Sequence, residues 1–422
     1  CKGMTVKELI HSKLFHDSFW TILGNALGKG LTVLGGIIIA SLLGKEIFGE
    51  YGLLRNTLLL IAIFSTMGLG YTSTIYVAKY RQNDESLLYS LINNILKITL
   101  AFSTLIALFV FIFSSHIAIY LEDVSLTIGL QCLSIIIIFN ALTSSQIGIL
   151  AGFKLFKETA YINILSGICN FILSICLTYI WGFNGALGAL LLSQIFNCAL
   201  NHYILRKQLA VLNRNGKAPL KSILRQSFPI ALQEMSLSIT HWLGSILLLK
   251  LTNYGEVGLY SAASQWAAVI LFIPITLRNV VLSHLSSDQN KEQHNRLLYS
   301  MMGIYALSTF IPSTLVVLSS NCITQFYGET FYGLSSVLAV CCYTTVFNSI
   351  YNVFSSEFMS RNRNWLMYAI TIFRDICILI GIYTFVEVFK MTGAFSMGLS
   401  ALCMNFVTII ACTYFFKRIN KE

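Results

Sequence analysis

The sequence predicts an all-α polytopic membrane protein of twelve transmembrane helices, arranged as two six-helix bundles related by a pseudo-twofold axis. Three observations predict it. Of 422 residues, 56% are hydrophobic and 11% charged, with a mean hydropathy of +0.72, a balance far too apolar for a water-soluble protein. The apolar residues gather into segments of about 20, the length that crosses a bilayer core of about 30 Å. Polar residues within the first and seventh segments coincide when the chain is shifted onto itself.

The lead, Thr5 to Ser18, puts Val6, Leu9, Ile10 and Leu14 on one side with Lys7 and Lys13 elsewhere, the pattern of an interfacial helix. Met4 could be the initiator, leaving Cys1 to Gly3 as a tag remnant or an upstream extension. No cleavable signal peptide is expected, because the first apolar run is long and follows a polar, amphipathic lead. That run, Trp20 to Leu43, spans roughly 36 Å as a helix and holds Lys29 within the membrane. Asn25, Lys29, Thr32 and Gly36 recur at helical spacing and form one polar stripe. A lysine near the bilayer centre costs about 2.5–3.5 kcal/mol, so the stripe is expected to face water, a partner or a ligand; the competing reading is that Lys29 snorkels to the interface. Beside the stripe, Gly24 and Gly28 form a G-x-x-x-G that lets another helix approach closely. Gly28-Lys29-Gly30 is not a phosphate loop, since its first glycine is misplaced and no Ser or Thr follows the lysine.

Five more spans follow in the first half: Leu53 to Ala78, Leu91 to Phe113, Leu126 to Leu150, Tyr161 to Ile180 and Ala186 to Leu205. The second half repeats the count with Ile230 to Leu251, Ala262 to Leu285, Leu298 to Leu318, Leu334 to Met359, Leu366 to Val386 and Ala394 to Phe416. This divides the chain into an N-terminal bundle of residues 1–210 with its leading helix, a cytoplasmic linker of 211–226 and a C-terminal bundle of 227–422. A short interfacial helix is expected from Pro219.

The net charge of +10 does not point to nucleic acid, because the basic residues are scattered over short loops. They report topology instead. Twenty lysines and arginines fall on the side of the N-terminus, against Lys45 and Lys390 on the other, which places both termini in the cytoplasm. The remaining six, Lys29, Arg55, Lys97, Lys250, Arg278 and Arg374, lie within or at the edges of spans and form the functional shortlist. Arg278 follows Pro274 by one turn, where a kink is expected. Lys97 and Lys250 read as interfacial anchors, as do Trp20, Trp181 and Trp365. Trp242 and Trp266 are candidates to stack on a ligand face, with apolar packing the plainer alternative. Most of the eleven cysteines sit in apolar segments without C-x-x-C or zinc spacing, so neither disulfides nor a metal site are expected.

The shift that pairs Ser18-Phe19 with Ser227-Phe228 also pairs Leu42 with Leu251 and the expected turn Gly49-x-Tyr51 with Gly258-x-Tyr260. It carries Asn25, Lys29, Thr32 and Gly36 onto Glu234, Ser238, His241 and Ser245. Two halves of the same orientation imply an axis along the membrane normal, with the first and seventh helices facing each other and their stripes lining a central cavity.

Twelve spans in a 6+6 repeat, the turn Ile47-Phe48-Gly49-Glu50-Tyr51-Gly52 and its counterpart Glu256-Val257-Gly258-Leu259-Tyr260 resemble the polysaccharide-export branch of the MATE-like (MOP) transporter superfamily. Within it the chain is most similar to Wzx-type O-antigen flippases. The resemblance implies a transporter that moves an undecaprenyl-diphosphate-linked oligosaccharide from the cytoplasmic to the periplasmic leaflet of the bacterial inner membrane, and not an enzyme. It implies a cationic cavity at Lys29, Arg55 and Arg278, with Asn25, Thr32, Ser238, His241 and Ser245 as polar lining. Expected partners are the lipid-linked glycan, the bilayer and other polysaccharide assembly proteins, with no nucleic acid. Glu234 and His241 stand in the stripe where a symmetric copy of Lys29 would be expected, on either side of its counterpart Ser238, so the second half departs from a purely cationic lining.

Glu234, Thr371 and Asp375 resemble the oxygen-rich cation site of some relatives, which makes Na+ or H+ coupling an expectation; the alternative is a local salt bridge of Asp375 or Glu234 with Arg374 or His241. No cofactor is implied. Two other function classes remain open. A multidrug antiporter of the same superfamily would suit an acidic cavity, whereas the first half here is cationic. A membrane polymerase or glycosyltransferase needs a sizeable extramembrane loop with acid, base or metal-binding residues, and the non-cytoplasmic loops are short, with isolated acids such as Glu122-Asp123 and Glu329.

Overall fold

In the computed structural model the described residues are 13–66, 69–83, 85–121, 123–212, 220–272, 274, 291–361 and 363–419, and no strand occurs among them. The principal helices are α1 (Lys13–Thr66), α2 (Leu69–Asn83), α3 (Leu88–Ile112), α4 (Ser114–Tyr120), α5 (Leu126–Gly152), α6 (Phe156–Leu209), α7 (Leu220–Leu251), α8 (Tyr254–Ile270), α9 (Lys291–Leu318), α10 (Ser320–Tyr327), α11 (Leu334–Ser360), α12 (Asn364–Tyr383) and α13 (Gly393–Ile419). Among the described residues eight helices are long and apolar enough to cross a membrane. Two of these, α1 and α6, are pairs of helices joined at Gly44 (φ 76°) and Gly182 (φ 55°), where the backbone takes a conformation that a side chain rarely permits. Dividing them there gives ten, and α7 and α8, which begin the seventh and eighth passes, bring the number to the twelve read from the sequence; beyond Phe272 the eighth pass lies outside the described residues except for residue 274.

Two expected turns are helical instead. Residues 47–52 continue α1 beyond its kink, and residues 256–260 lie inside α8, whose start is set by Asn253 accepting the Glu256 N–H at 3.0 Å. The reversals therefore occur a few residues earlier, at Gly44 and Asn253. Gly49 and Gly258 are packing glycines: a Cβ on Gly49 would stand 1.8 Å from the Tyr254 carbonyl oxygen. The helix expected to be short after Pro219 instead runs from Leu220 straight into the seventh pass as α7.

The residues group into two compact units. The first comprises the described residues up to Gly35 together with Leu54–Ile239; the second comprises Gly36–Leu53 together with those from Thr240. In the first unit α5 is central and packs against α2, α3 and α6. Leu69, Tyr76, Leu91, Ile95, Leu150 and Phe153 belong to its buried apolar cluster. On α3, Leu105, Leu108 and Ile112 point outward while Thr99 and Ser103 are buried, the reverse of a soluble helix. Lipid already solvates the large apolar groups, so the helix interfaces favour small residues and hydroxyl pairs such as Thr99 with Ser145, 2.9 Å apart.

In the second unit α11 holds the same central place, packed against α8, α9 and α13. Its apolar cluster includes Leu298, Tyr305, Phe354, Phe358 and Phe416, and Thr309 pairs with Ser349 at 3.2 Å. Residues 36–53 are anchored here by Phe48, fully buried against Tyr51 and Phe331 with ring centroids 5.9 Å away in each case.

Candidate functional site

The site in the first unit begins with missing side chains. A Cβ on Gly24 would lie 2.5 Å from the Ala160 Cα, one on Gly28 2.8 Å from the Asn163 carbonyl oxygen, and one on Gly167 2.9 Å from the Gly28 Cα. The G-x-x-x-G of α1 thus seats its backbone against the first arm of α6. That contact sets Lys29 and Thr32 beside Asn163, Ser166 and Asn170. The second arm of α6, returning after the Gly182 kink, adds Ser193, Gln194 and Asn197. Together these residues line a cavity of about 310 Å³, in which Leu190 is the one large apolar side chain among the described residues.

Several of these groups are held from behind. Asn170 Nδ2 donates to Ser193 Oγ at 3.0 Å, tying the two arms of α6 together, and Asn201 Nδ2 donates to Asn197 Oδ1 at 2.8 Å. Thr32 Oγ1 donates to the Gly28 carbonyl at 2.9 Å. Two groups are left open. Ser166 Oγ is buried with no hydrogen-bond partner among the described residues, and Gln194 makes no hydrogen bond to them. Lys29 is exposed, so the cavity is accessible. Among the described residues the lining offers one cation, four amides and several hydroxyls, and no carboxylate. Such a set suits a ligand that joins an anionic group to hydroxyl or amide groups; each bond involving the charged partner contributes about 1.5–3 kcal/mol.

The other sequence-predicted residues lie elsewhere. Gly36, the last member of the first stripe, faces Gln265 of α8 within the second unit, where a Cβ would stand 2.3 Å from Gln265 Oε1. Arg55 is half-buried and forms no ion pair among the described residues. Of the second stripe, Ser238 is half-buried, His241 exposed and Ser245 buried, its hydroxyl donating to the His241 carbonyl at 3.0 Å. Arg278 and the side chains of Asn25 and Glu234 lie outside the described residues.

Thr371 and Asp375 belong to a polar centre buried in the second unit. Asp375 Oδ1 accepts from Arg374 Nε at 2.9 Å and Nη2 at 2.7 Å, while Oδ2 accepts from Thr240 Oγ1 at 3.2 Å. Arg374 also reaches Asn405 and lies 4.6 Å over the Tyr351 ring, whose hydroxyl is 2.6 Å from Thr371 Oγ1. Both charged residues are 5% exposed. Asp375 therefore bonds to Arg374 and Thr240, and Thr371 to Tyr351. A second buried acid, Glu357, is fully enclosed, with His294 Nε2 2.9 Å from each carboxylate oxygen and Arg361 one helical turn along. Trp266 donates to the Tyr327 hydroxyl at 3.2 Å.

Reading by charge alone misses the amides. The signal was present: Asn163, Ser166 and Asn170 recur at i, i+3 and i+7, and Ser193, Gln194 and Asn197 fall within one turn, both inside apolar spans. Glu357 and His294 carried no such local sign, being 63 residues apart.

The sequence matches the family described as polysaccharide biosynthesis protein over residues 14–282. No curated protein matches it. Among solved structures, an inward-facing multidrug resistance MATE family transporter of the MOP superfamily superposes with a TM-score of 0.81 at 17% identity, over 95% of this chain and 99% of that one. The outward-facing form of such a transporter gives 0.68 at 17% identity, covering 100% and 98%. A MOP superfamily transporter from Pyrococcus furiosus, described by the reverse polarity of its binding pocket, gives 0.64 at 18% identity, covering 100% and 98%. At these identities the likeness establishes the fold, a MATE-like arrangement of transmembrane helices.

Proposed function

This chain belongs to the polysaccharide biosynthesis protein family, and on that premise we propose that it is a flippase. It translocates an undecaprenyl-diphosphate-linked oligosaccharide, an O-antigen or related surface-polysaccharide repeat unit, from the cytoplasmic to the periplasmic leaflet by alternating access. The supporting observation is the cavity at Lys29, which combines a cation with amides and hydroxyls and has no acid among the described residues of its lining. The lipid tail can stay in the bilayer, while the diphosphate and sugars need a hydrogen-bonding route. A cation about 4 Å from a phosphate gains roughly 4 kcal/mol at an effective dielectric of 20, enough for capture without blocking release. Lys29 meets the diphosphate in this reading, with Arg55 and Arg278 as further cations along the path. The protein lies in the bacterial inner membrane with both termini in the cytoplasm, as the loop charges favour. A cation coupled through Glu234, Thr371 and Asp375 would have to compete with Arg374 for the Asp375 carboxylate.

The test is flipping of a defined lipid-linked glycan in proteoliposomes, normalised to inserted protein. Lys29→Arg retains most activity and Lys29→Ala loses roughly ten- to a hundredfold, the effect of removing one contact to a charged group. Wild-type rates from a Lys29→Ala, Arg278→Ala double variant would overturn the mechanism. Export of lipophilic cations instead of glycan would replace it with the multidrug reading.

A further inference from the structure

We propose that Gln194, with Ser166 and Asn163, reads the single sugar bonded directly to the diphosphate, and that it selects a sugar carrying an acetamido group. This rests on the flippase reading and adds what the same cavity recognises. Four observations carry it.

The first is size. At about 310 Å³ the cavity sits at the bottom of the usual range for small-molecule sites, about 300–1,000 Å³. It has room for one saccharide unit beside an anionic group. The second is adjacency. Lys29 and the amides line the same cavity, so whatever the amides hold lies next to whatever Lys29 holds. On a lipid-linked glycan the only sugar next to the phosphate is the first.

The third is unsatisfied polarity. Ser166 Oγ is buried with no partner among the described residues, and its residue is only 9% exposed. An unpaired buried hydroxyl destabilises the empty protein, and a ligand that bonds to it removes that cost. Gln194 also lines the cavity, and its side-chain amide forms no hydrogen bond with the described residues. The fourth is support. The Asn170–Ser193 and Asn201–Asn197 bonds fix the arm of α6 that carries Gln194, so the reading groups are positioned before the ligand arrives.

The acetamido preference follows from valence. The acetamido group of a sugar is a trans amide whose N–H and C=O point in opposite directions, so it can bond to two walls of the cavity at once: Gln194 Oε1, on the second arm of α6, accepts its N–H, while Ser166 Oγ, on the first arm, donates to its carbonyl oxygen. A lone hydroxyl at the same ring position is shorter, reaches one of these walls and leaves the group on the other, such as the buried Ser166 hydroxyl, unpaired.

The experiment measures binding of three probes to the full chain in lipid nanodiscs: polyprenyl diphosphate, the same lipid bearing one N-acetylhexosamine, and the same lipid bearing one hexose. Wild type is expected to bind the acetamido probe about tenfold more tightly than the hexose probe. Gln194→Met abolishes that ratio, whereas Lys29→Ala weakens all three probes and preserves it. Ser166→Ala, which breaks no hydrogen bond to the described residues, narrows the margin between the sugar-bearing and sugar-free lipids and gives a readout should Gln194→Met fail to fold. A wild type without the preference, or variants at Gln194 and Ser166 that leave every ratio unchanged, overturns the inference while the flippase reading stands. Failure of the wild type to bind any of the three lipids overturns both.

Discussion

Gly49 and Gly258 meet backbone to backbone. A Cβ on Gly258 would stand 2.0 Å from the Lys45 carbonyl oxygen and 3.1 Å from the Gly49 nitrogen, and one on Gly49 would stand 3.0 Å from the Gly258 nitrogen. These are the two glycines that the internal repeat pairs in sequence, so the repeat partners touch each other. The contact lies within the second unit, to which residues 36–53 belong.

Gly258→Ala should therefore be harmful although alanine is the better helix former. The methyl group meets backbone, which cannot rotate away, and overpacking of this kind costs about 1–3 kcal/mol. A thermal midpoint in detergent several degrees below wild type is expected, and an unchanged midpoint would show that the helices separate freely there. Gly303, where an added Cβ would meet nothing within 4 Å, is the control, and Gly303→Ala should be neutral or mildly stabilising.

The Arg374–Asp375 pair predicts strong non-additivity. Removing either partner leaves a buried, uncompensated charge at a cost of about 3–5 kcal/mol. Arg374→Met and Asp375→Asn alone should each lower folded yield sharply, and the double variant should recover much of the loss. A double variant as damaged as the sum of the singles would show that the two residues act independently. The pair also bears on coupling: with Arg374 on Asp375, exchanging Na+ for K+ should change flipping less than about twofold, and a strong sodium dependence would require this pair to open.

Glu357 should be the most sensitive acid among the described residues for stability. Its carboxylate is fully enclosed and bonded to His294 and Arg361. Glu357→Gln keeps the shape and removes the charge that both partners face, so a loss of about 3–5 kcal/mol is expected. Flipping per folded molecule should persist, because the residue lies in the second unit and does not line the Lys29 cavity. Loss of flipping at normal stability would assign Glu357 a transport role.

Topology makes an independent prediction. A membrane-impermeant thiol reagent added to the periplasm should label a cysteine placed at Glu329, which is exposed, and not one placed at Asn213. The opposite pattern would invert the proposed direction of transport.

The sequence by itself determined the class, the number and approximate extent of the passes, and the kinship of the two halves. It could do so because the bilayer imposes a local rule: every backbone group must bond within its own helix and every lipid-facing side chain must be apolar, so each span is legible on its own. The lysine within α1 and its G-x-x-x-G were legible for the same reason, since both violate or exploit that rule locally. Only the tertiary structure decided which helix the glycines of α1 meet, that the two Gly-x-Tyr segments pack and do not turn, and that Asp375 bonds to Arg374. It also decided that Lys29 shares a cavity with Asn163, Gln194 and Asn197, residues more than a hundred positions away. A neutral amide in a span carries little hydropathy signal, and its meaning depends on which distant side chains face it. That is settled by how helices pack, through close backbone contacts whose partners no local pattern names.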